Sequence, residues 1–449
     1  MIVCRSEDVA VTGIAAGGEG VGRLGDGRAV FVRGALPGER VRVTVTEERS
    51  RFARAVIAEV VEAAPERVAP PCPRVAEGCG GCDWQHVAPA AQRELKARIV
   101  VDALRRIGRI EPPEPDPGPE LPTEGWRTTV RALVDDDGRA GFRRHHAHDP
   151  LAVGDDGCLV AHPLVDEVLR AGRFPPPVRE VTIRAGAATG ERLVLCTPTA
   201  AAGPGPGGDP DGARETADLG AEDTAGLGAD GTARQSGGAG SGVRVPEGVT
   251  VVGADDLAAG HRAWIHEEVA GRRWRISAES FFQGRPDGAE ALVEAVVAAF
   301  GAALAVAAGA PVVDLYSGVG LFAGVLGART GGRVVAVESS RSAAADARIN
   351  LADLDGARIV RSDVRRWRPS PAEVVVADPS RHGLGADVVG RIGATGAPAL
   401  ALVSCDPGAL GRDAGLLAAA GWRLESVRLV DLFPHTAHVE VVTGWFRGI

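Results

Sequence analysis

The sequence predicts an α/β protein: a Rossmann-like, mainly parallel sheet at the C-terminal end, preceded by a small β-barrel and a central α+β domain. Three observations carry this. Apolar strand-like runs alternate with helical patterns beyond residue 276. Short alternating segments separated by glycine turns fill the first 62 residues. The stretch between them mixes a long helical pattern, a strand and a cluster of cysteines. The domains expected are therefore 1–62, 63–275 and 276–449.

In the first segment, Val9-Ala10-Val11-Thr12 and Ala29-Val30-Phe31-Val32 flank a glycine-rich run at 17–22. Val41-Arg42-Val43-Thr44-Val45 alternates with period two, and 55–61 closes the block. Short β segments at this spacing suggest a barrel. Residues 91–104 then repeat apolar positions at helical spacing. A proline-rich break follows at 112–119, and 126–134 reads as a strand. Residues 200–242 are glycine, alanine, aspartate and proline with almost no large apolar side chain. They bury too little surface to offset ordering entropy, so a disordered insertion is expected there. Beyond it, strands are expected at 311–316, 333–337, 373–377 and 399–403, and helices at 287–307, 320–329, 341–353 and 408–420. The segments 426–432 and 437–446 read as two further strands, an antiparallel pair.

The 449 residues suffice for about three domains. No apolar stretch reaches the ~18 residues of a membrane span, and the first residues lack a signal-peptide core. A cytoplasmic protein without a membrane partner is expected, as a monomer. The formal net charge of -9 argues mildly against a nucleic-acid partner. Part of that excess is local, because 201–242 holds seven carboxylates and two arginines. Lys96 is the single lysine. Arginine suits bidentate phosphate contact and base stacking, although coding bias in a GC-rich genome accounts for most of the preference.

The seven cysteines are unevenly placed. Cys72, Cys79 and Cys82 form a Cys-x6-Cys-x2-Cys cluster, with Cys158 available as a distant fourth. Such crowding points to metal or redox chemistry rather than a secreted disulfide scaffold. Four thiolates fit zinc or an iron–sulfur cluster, and spacing does not choose between them. Cys4 and Cys196 have no evident partner and read as structural.

The turn Asp314-Leu315-Tyr316-Ser317-Gly318-Val319-Gly320 follows a strand and opens a helix, where glycines let the backbone approach a ligand. Glu338 ends the next strand, placed to accept hydrogen bonds from ribose hydroxyls. The absence of a third spaced glycine favours S-adenosylmethionine (SAM), which has no pyrophosphate to cradle. Asp363 could bond an adenine amine or could be a solvated loop carboxylate. Asp378-Pro379-Ser380-Arg381 follows another strand, where Asp378 could position both donor and acceptor.

Cys405 stands in Ser404-Cys405-Asp406-Pro407 after an apolar strand. That is where a nucleophile belongs, although a free cysteine is more often a buried hydrophobe. Asp406 would raise its pKa, so activation is expected from Arg412 or a helix N-terminus. Carbon 5 of uracil is too weak a nucleophile to take a methyl group directly. Thiolate addition at carbon 6 makes an enolate that can attack the methyl donor, and a base must then remove the carbon-5 proton. Glu440 is the candidate base.

These residues carry a family likeness. Ser280-Phe281-Phe282-Gln283, the 314–320 turn, Asp378-Pro379-Ser380-Arg381, Ser404-Cys405-Asp406-Pro407 and the segment from Asp431 to Glu440 together resemble the bacterial SAM-dependent RNA uracil-5-methyltransferases that carry an N-terminal TRAM domain and a [4Fe-4S] cluster. The likeness runs along nearly the whole chain outside 200–242. It implies Gln283, Tyr316, Glu338 and Asp378 in SAM binding, Cys405 as nucleophile and Glu440 as base. It implies Cys72, Cys79, Cys82 and Cys158 as cluster ligands, and makes residues 1–62 an RNA-binding barrel. With nine arginines and nine carboxylates that barrel is neutral, so RNA would meet a patch rather than bulk charge. Serine stands at 380 where the family usually has proline, and at 317 where it often has cysteine. The expected acceptor is a uridine in RNA, ribosomal (23S) first and transfer RNA as the alternative. A catalytically silent RNA-binding protein on the same scaffold is the competing reading.

Overall fold

The computed structural model describes residues 6–145, 147, 149–198, 242–306 and 309–448. Cys4 lies outside them, as does the expected disordered insertion apart from residue 242. Strands β1 (Ser6–Ile14), β2 (Gly20–Arg23), β3 (Ala29–Arg33), β4 (Arg40–Glu48) and β5 (Phe52–Glu62) close into a barrel in the order β1-β2-β3-β5-β4. Alternate residues point inward, so Val9, Val30, Val32, Val41 and Val43 are wholly buried. The glycine run makes a tight approach possible: a Cβ on Gly20 would lie 2.6 Å from the Ala35 carbonyl oxygen.

Helix α1 (Pro89–Arg106) follows a loop that carries three of the clustered cysteines. The central sheet comprises β6 (Thr129–Val134), β7 (Ala140–Arg143), β8 (Pro150–Ala152), β9 (Glu180–Ala185), β10 (Arg192–Thr197) and β11 (Val249–Gly253), in the order β11-β10-β9-β6-β7-β8. Helix α2 (Pro163–Ala171) packs Val165 and Val168 into its core beside Phe174. Helix α3 (Ala254–Ala258) then leads to a hairpin of β12 (Trp264–Val269) and β13 (Arg272–Ser277). Trp274 and Ile276 of that hairpin are buried with the C-terminal sheet's core, not the central one.

The C-terminal sheet has the order β16-β15-β14-β17-β18-β20-β19. Its strands are β14 (Val312–Leu315), β15 (Val334–Glu338), β16 (Ala357–Arg361), β17 (Val374–Ala377), β18 (Ala399–Ser404), β19 (Arg423–Val430) and β20 (Glu440–Phe446). All neighbours are parallel except β20, which runs antiparallel to both β18 and β19. Helices α4 (Pro286–Phe300), α5 (Ala302–Val306), α6 (Leu321–Thr330), α7 (Arg341–Asn350), α8 (Gly385–Ala394) and α9 (Pro407–Ala419) complete the domain. Alternation is strict: Val374, Val376, Ala399 and Ala401 face the layer holding α4 and α6. Val375, Ala377, Leu400 and Leu402 face the layer holding α8 and α9. A sheet covered on both faces accounts for these near-continuous apolar runs.

Helix α1 belongs to that second layer. Val100 and Leu104 are fully buried with Val313, Leu315 and Leu410. Close contact with α9 depends on glycine, since a Cβ on Gly411 would meet the Ala103 carbonyl oxygen at 2.7 Å. Among the described residues no helix is long and apolar enough to cross a membrane.

Candidate active site

The order of strands reverses at β14, which pairs with β15 on one side and β17 on the other. In open α/β sheets, the crevice at such a switch point, beyond the strands' carboxyl ends, receives ligands. The turn after β14 is tightly wound. Tyr316 has φ 62°, Gly318 φ 54° and Gly320 φ 96°, and a left-handed tyrosine is uncommon enough to mark a functional turn. Burial, with Asp363 and Asp413 nearby, pushes the Tyr316 phenol up to about 12.

Carboxylates gather around this turn. Glu338 accepts the Gly318 N–H at 2.9 Å with one oxygen and the Ser340 N–H at 2.6 Å with the other. Asp314 is fully buried and accepts the Ala323 N–H at 2.8 Å. Its other oxygen, Oδ1, has no partner among the described residues, and neither has the buried Ser317 hydroxyl. Burial first, then Asp378 and Glu338, push the Asp314 carboxyl well above the usual range. Gln283 is buried, and its segment is fixed by Asp346 of α7, which accepts from Ser280 Oγ at 2.6 Å and from Ser277 N–H at 2.8 Å. Asn350, one turn on, receives the Arg275 N–H at 2.8 Å and donates to the Val319 carbonyl at 3.0 Å. These two side chains tie the β12–β13 hairpin and the glycine turn together. Asp363 is turned toward Arg365, whose guanidinium donates to it at 2.6 Å and holds its carboxyl below the ordinary value.

Cys405 follows β18 directly and Glu440 opens its antiparallel neighbour β20. In the β18–β20 ladder Val403 faces Val442 and Ser404 faces Val441. Continuing that antiparallel register by one residue sets Cys405 opposite Glu440. The carboxyl group is almost wholly buried, at 4% exposure, while Cys405 is half-buried. Burial pushes the Cys405 thiol well up, and the charges of Glu440 and Asp378 add to this. Arg381 opposes it. The Glu440 carboxyl is likewise raised well above its ordinary value by burial and by Asp378, again opposed by Arg381. Arg381, not the expected Arg412, is thus the cation that acts on the thiol. Arg381 stands in the 378–381 motif, where nothing local marks it as a partner of the thiol. Proximity to both groups appears only when β17 and β18 lie side by side. The helix N-terminus does follow the thiol: Asp406 caps α9 by accepting the Ala409 N–H at 2.6 Å.

The four clustered cysteines line one cavity together with Gln85 and Arg127. Gln85 accepts the Cys72 N–H at 3.0 Å. Burial pushes Cys82 up to about 12 and raises Cys79 and Cys158. Arg127 is half-buried beside the thiols, and the neighbours that favour its charged form are Cys158 and Cys82. A half-buried cation facing four thiols has the charge that an anionic thiolate-held group would need beside it. Among the described residues no group of three or more His, Cys, Asp or Glu side chains is arranged to hold a single metal ion. Cys196 is buried in the central core, in keeping with a structural role.

Comparison with known proteins accords with this geometry. Residues 3–58 match the TRAM domain. An uncharacterized RNA methyltransferase of Streptomyces coelicolor is 37% identical over 98% of this chain and 93% of the relative. The 23S rRNA (uracil(1939)-C(5))-methyltransferase RlmD of Alkalilimnicola ehrlichii is 32% identical over 98% of this chain and 96% of the relative. Among solved structures, the Pyrococcus abyssi tRNA (uracil-54, C5)-methyltransferase in complex with S-adenosyl-L-homocysteine superposes with a TM-score of 0.65. It covers 98% of this chain and 99% of that one at 22% identity, a likeness of fold. Fold and site together define a Rossmann-like α/β methyltransferase. The chain belongs to the family of RNA methyltransferases that carry an N-terminal TRAM domain.

Proposed function

We propose that this protein methylates carbon 5 of a uridine in RNA, using SAM, through a transient bond between Cys405 and the pyrimidine. The observation that carries the reading is the β18–β20 register, whose last pair, Ser404 with Val441, is flanked by Cys405 on one strand and Glu440 on the other at the carboxyl edge of the sheet. When bound, SAM supplies an electrophilic methyl group. Gln283, Tyr316, Glu338 and Asp378 would hold it, and the carboxylates around the 314–320 turn suit a ligand carrying sulfonium and ammonium charge.

The chain's own residues then divide the work. Cys405 gives up its proton to solvent water and adds through sulfur to carbon 6, the carbon 5–carbon 6 double bond opening as the new bond forms. The electron pair released to the ring makes carbon 5 nucleophilic, and carbon 5 takes the methyl group as the methyl–sulfonium bond breaks, its electron pair leaving on a neutral thioether. Glu440 removes the proton left on carbon 5, the ring double bond re-forms, and the thiolate departs. A carboxylate whose pKa is raised by burial is a stronger base once ionised. Arg381 offsets the negative charge that develops on sulfur and carboxylate. The target base must leave its stack to reach the half-buried thiol.

The TRAM barrel and the central domain would hold flanking RNA. A [4Fe-4S] cluster on Cys72, Cys79, Cys82 and Cys158 would brace that region, since no step above is redox. A 23S ribosomal RNA is the acceptor we favour: the Alkalilimnicola ehrlichii relative named for that RNA matches at 32% identity along almost the whole chain. The test is incubation with SAM and RNA carrying 5-fluorouridine, in which the carbon-5 proton is replaced and release is blocked. A denaturant-stable protein–RNA adduct is expected. Its absence would leave a silent RNA-binding protein.

A further inference from the structure

The segment 431–439, which joins β19 to β20 and delivers Glu440, is held from outside its own sheet. Lys96 on α1 donates to Asp431 Oδ1 at 2.6 Å and to the Phe433 carbonyl at 3.0 Å. The Trp84 N–H donates to the His435 carbonyl at 2.8 Å. Gln92 Oε1 accepts the His435 N–H at 2.7 Å. Asp83 accepts the Ala437 N–H at 3.2 Å. All four anchors lie on α1 or on the cysteine loop just before it.

His435 sits at φ 65°. A non-glycine residue in the left-handed region persists where its surroundings over-determine it. Here both of its peptide groups are bonded, one to Gln92 and one to Trp84. Gln92 itself is wholly buried. Its amide nitrogen donates to the Val87 carbonyl at 2.8 Å and the Trp84 carbonyl at 3.2 Å, and lies 3.4 Å from His435 Nδ1. One side chain therefore joins the loop after Cys82 to the strained residue five positions before Glu440.

We propose that Gln92 is a positioning residue for Glu440. Its amide fixes the left-handed turn at His435, and so the depth and direction of the carboxyl group, and ties that turn to the cysteine loop. The proposal rests on the reading of Glu440 as the base that removes the carbon-5 proton. In that reading the covalent adduct forms through Cys405 and the methyl donor, and breaks down through Glu440. A displaced Glu440 slows breakdown and leaves formation nearly unchanged, so methylated adduct accumulates.

The experiment is a single-turnover reaction of Gln92→Leu with a uridine-containing RNA transcript and SAM, quenched in detergent. Adduct and released 5-methyluridine are followed in time. Breakdown is expected to slow about tenfold, the scale of one lost buried hydrogen bond. Gln92→Glu, which keeps the acceptor for His435, is expected closer to wild type. Gln92→Asn, an amide of shorter reach, is read in the same way if the leucine variant does not fold. Wild-type breakdown, or a parallel fall in both steps, overturns the proposal. Glu440→Gln separates the two readings. If it traps adduct while the Gln92 variants do not, Gln92 alone loses its role. If it traps none, the base assignment fails and this proposal with it.

Discussion

Lys96 and Asp431 form an ion pair of 2.6 Å in which the lysine is 1% and the aspartate 13% exposed. They are 335 residues apart, and the pair pins α1 to the segment that leads to Glu440. Burial lowers the lysine pKa, and Asp431 counters that by favouring the charged form.

Removing one partner of such a pair leaves a buried charge uncompensated. Lys96→Met should cost about 3 kcal/mol in denaturant unfolding. The double variant Lys96→Met with Asp431→Leu should recover part of that loss, because no lone charge remains.

Cys405→Ala should lower methylation by at least about a thousandfold, since the covalent route is removed rather than weakened. SAM affinity, read by calorimetry, should stay near wild type. Equal methylation by the variant would point to direct transfer, as at a nitrogen acceptor.

Glu338→Ala removes the acceptor that holds Gly318 and Ser340 in the glycine turn. SAM binding should weaken about tenfold or more, because a lost hydrogen bond to a charged group is worth about 1.5–3 kcal/mol. Calorimetry checks this. Asp363→Ala should matter much less, because Asp363 is engaged by Arg365 at the surface.

His86 should make the protein acid-sensitive. Burial, with Arg67 adding, lowers its pKa from 6.5 to about 4, and its Nε2 has no partner among the described residues. Between those values the unfolded chain binds more protons than the folded one. Stability therefore falls as pH drops from about 6.5 toward 4, by up to about 3 kcal/mol. Urea midpoints at pH 7 and pH 5 measure the slope, which His86→Phe should reduce.

Cys82→Ser and Cys158→Ser should each yield protein depleted in iron and sulfide by elemental analysis, without the broad visible absorption of a cluster. Iron and sulfide unchanged in both variants would remove these cysteines from the proposed cluster.

Much of the C-terminal sheet was legible in the sequence because its strands are continuous apolar runs bounded by turns. Val312–Leu315, Val374–Ala377 and Ala399–Ser404 fall within a residue or two of expectation. Helix α8 was missed; three glycines at 385, 390 and 393 obscure its period. The expected long helix at 287–307 divides at Gly301, where φ is 51°. The central sheet was mostly unread, since its short strands carry mixed polar and apolar faces. Cys405 and Glu440 could be named from local chemistry, but their opposition depends on β20 inserting between β18 and β19. Gln92 and Lys96 read as ordinary helix positions. Their role depends on contacts more than 330 residues away, which no local pattern encodes.

Val100 and Leu104 roof the strands that bear the glycine turn and the thiol, although they belong to a helix far upstream. Cutting the chain at 276 would therefore remove one helix of that layer and uncover apolar surface in the cluster that holds Leu315 and Leu410. The part before residue 276 and the C-terminal sheet are not modules that can be shuffled apart. Each half completes the other's interior, and the two must fold as partners.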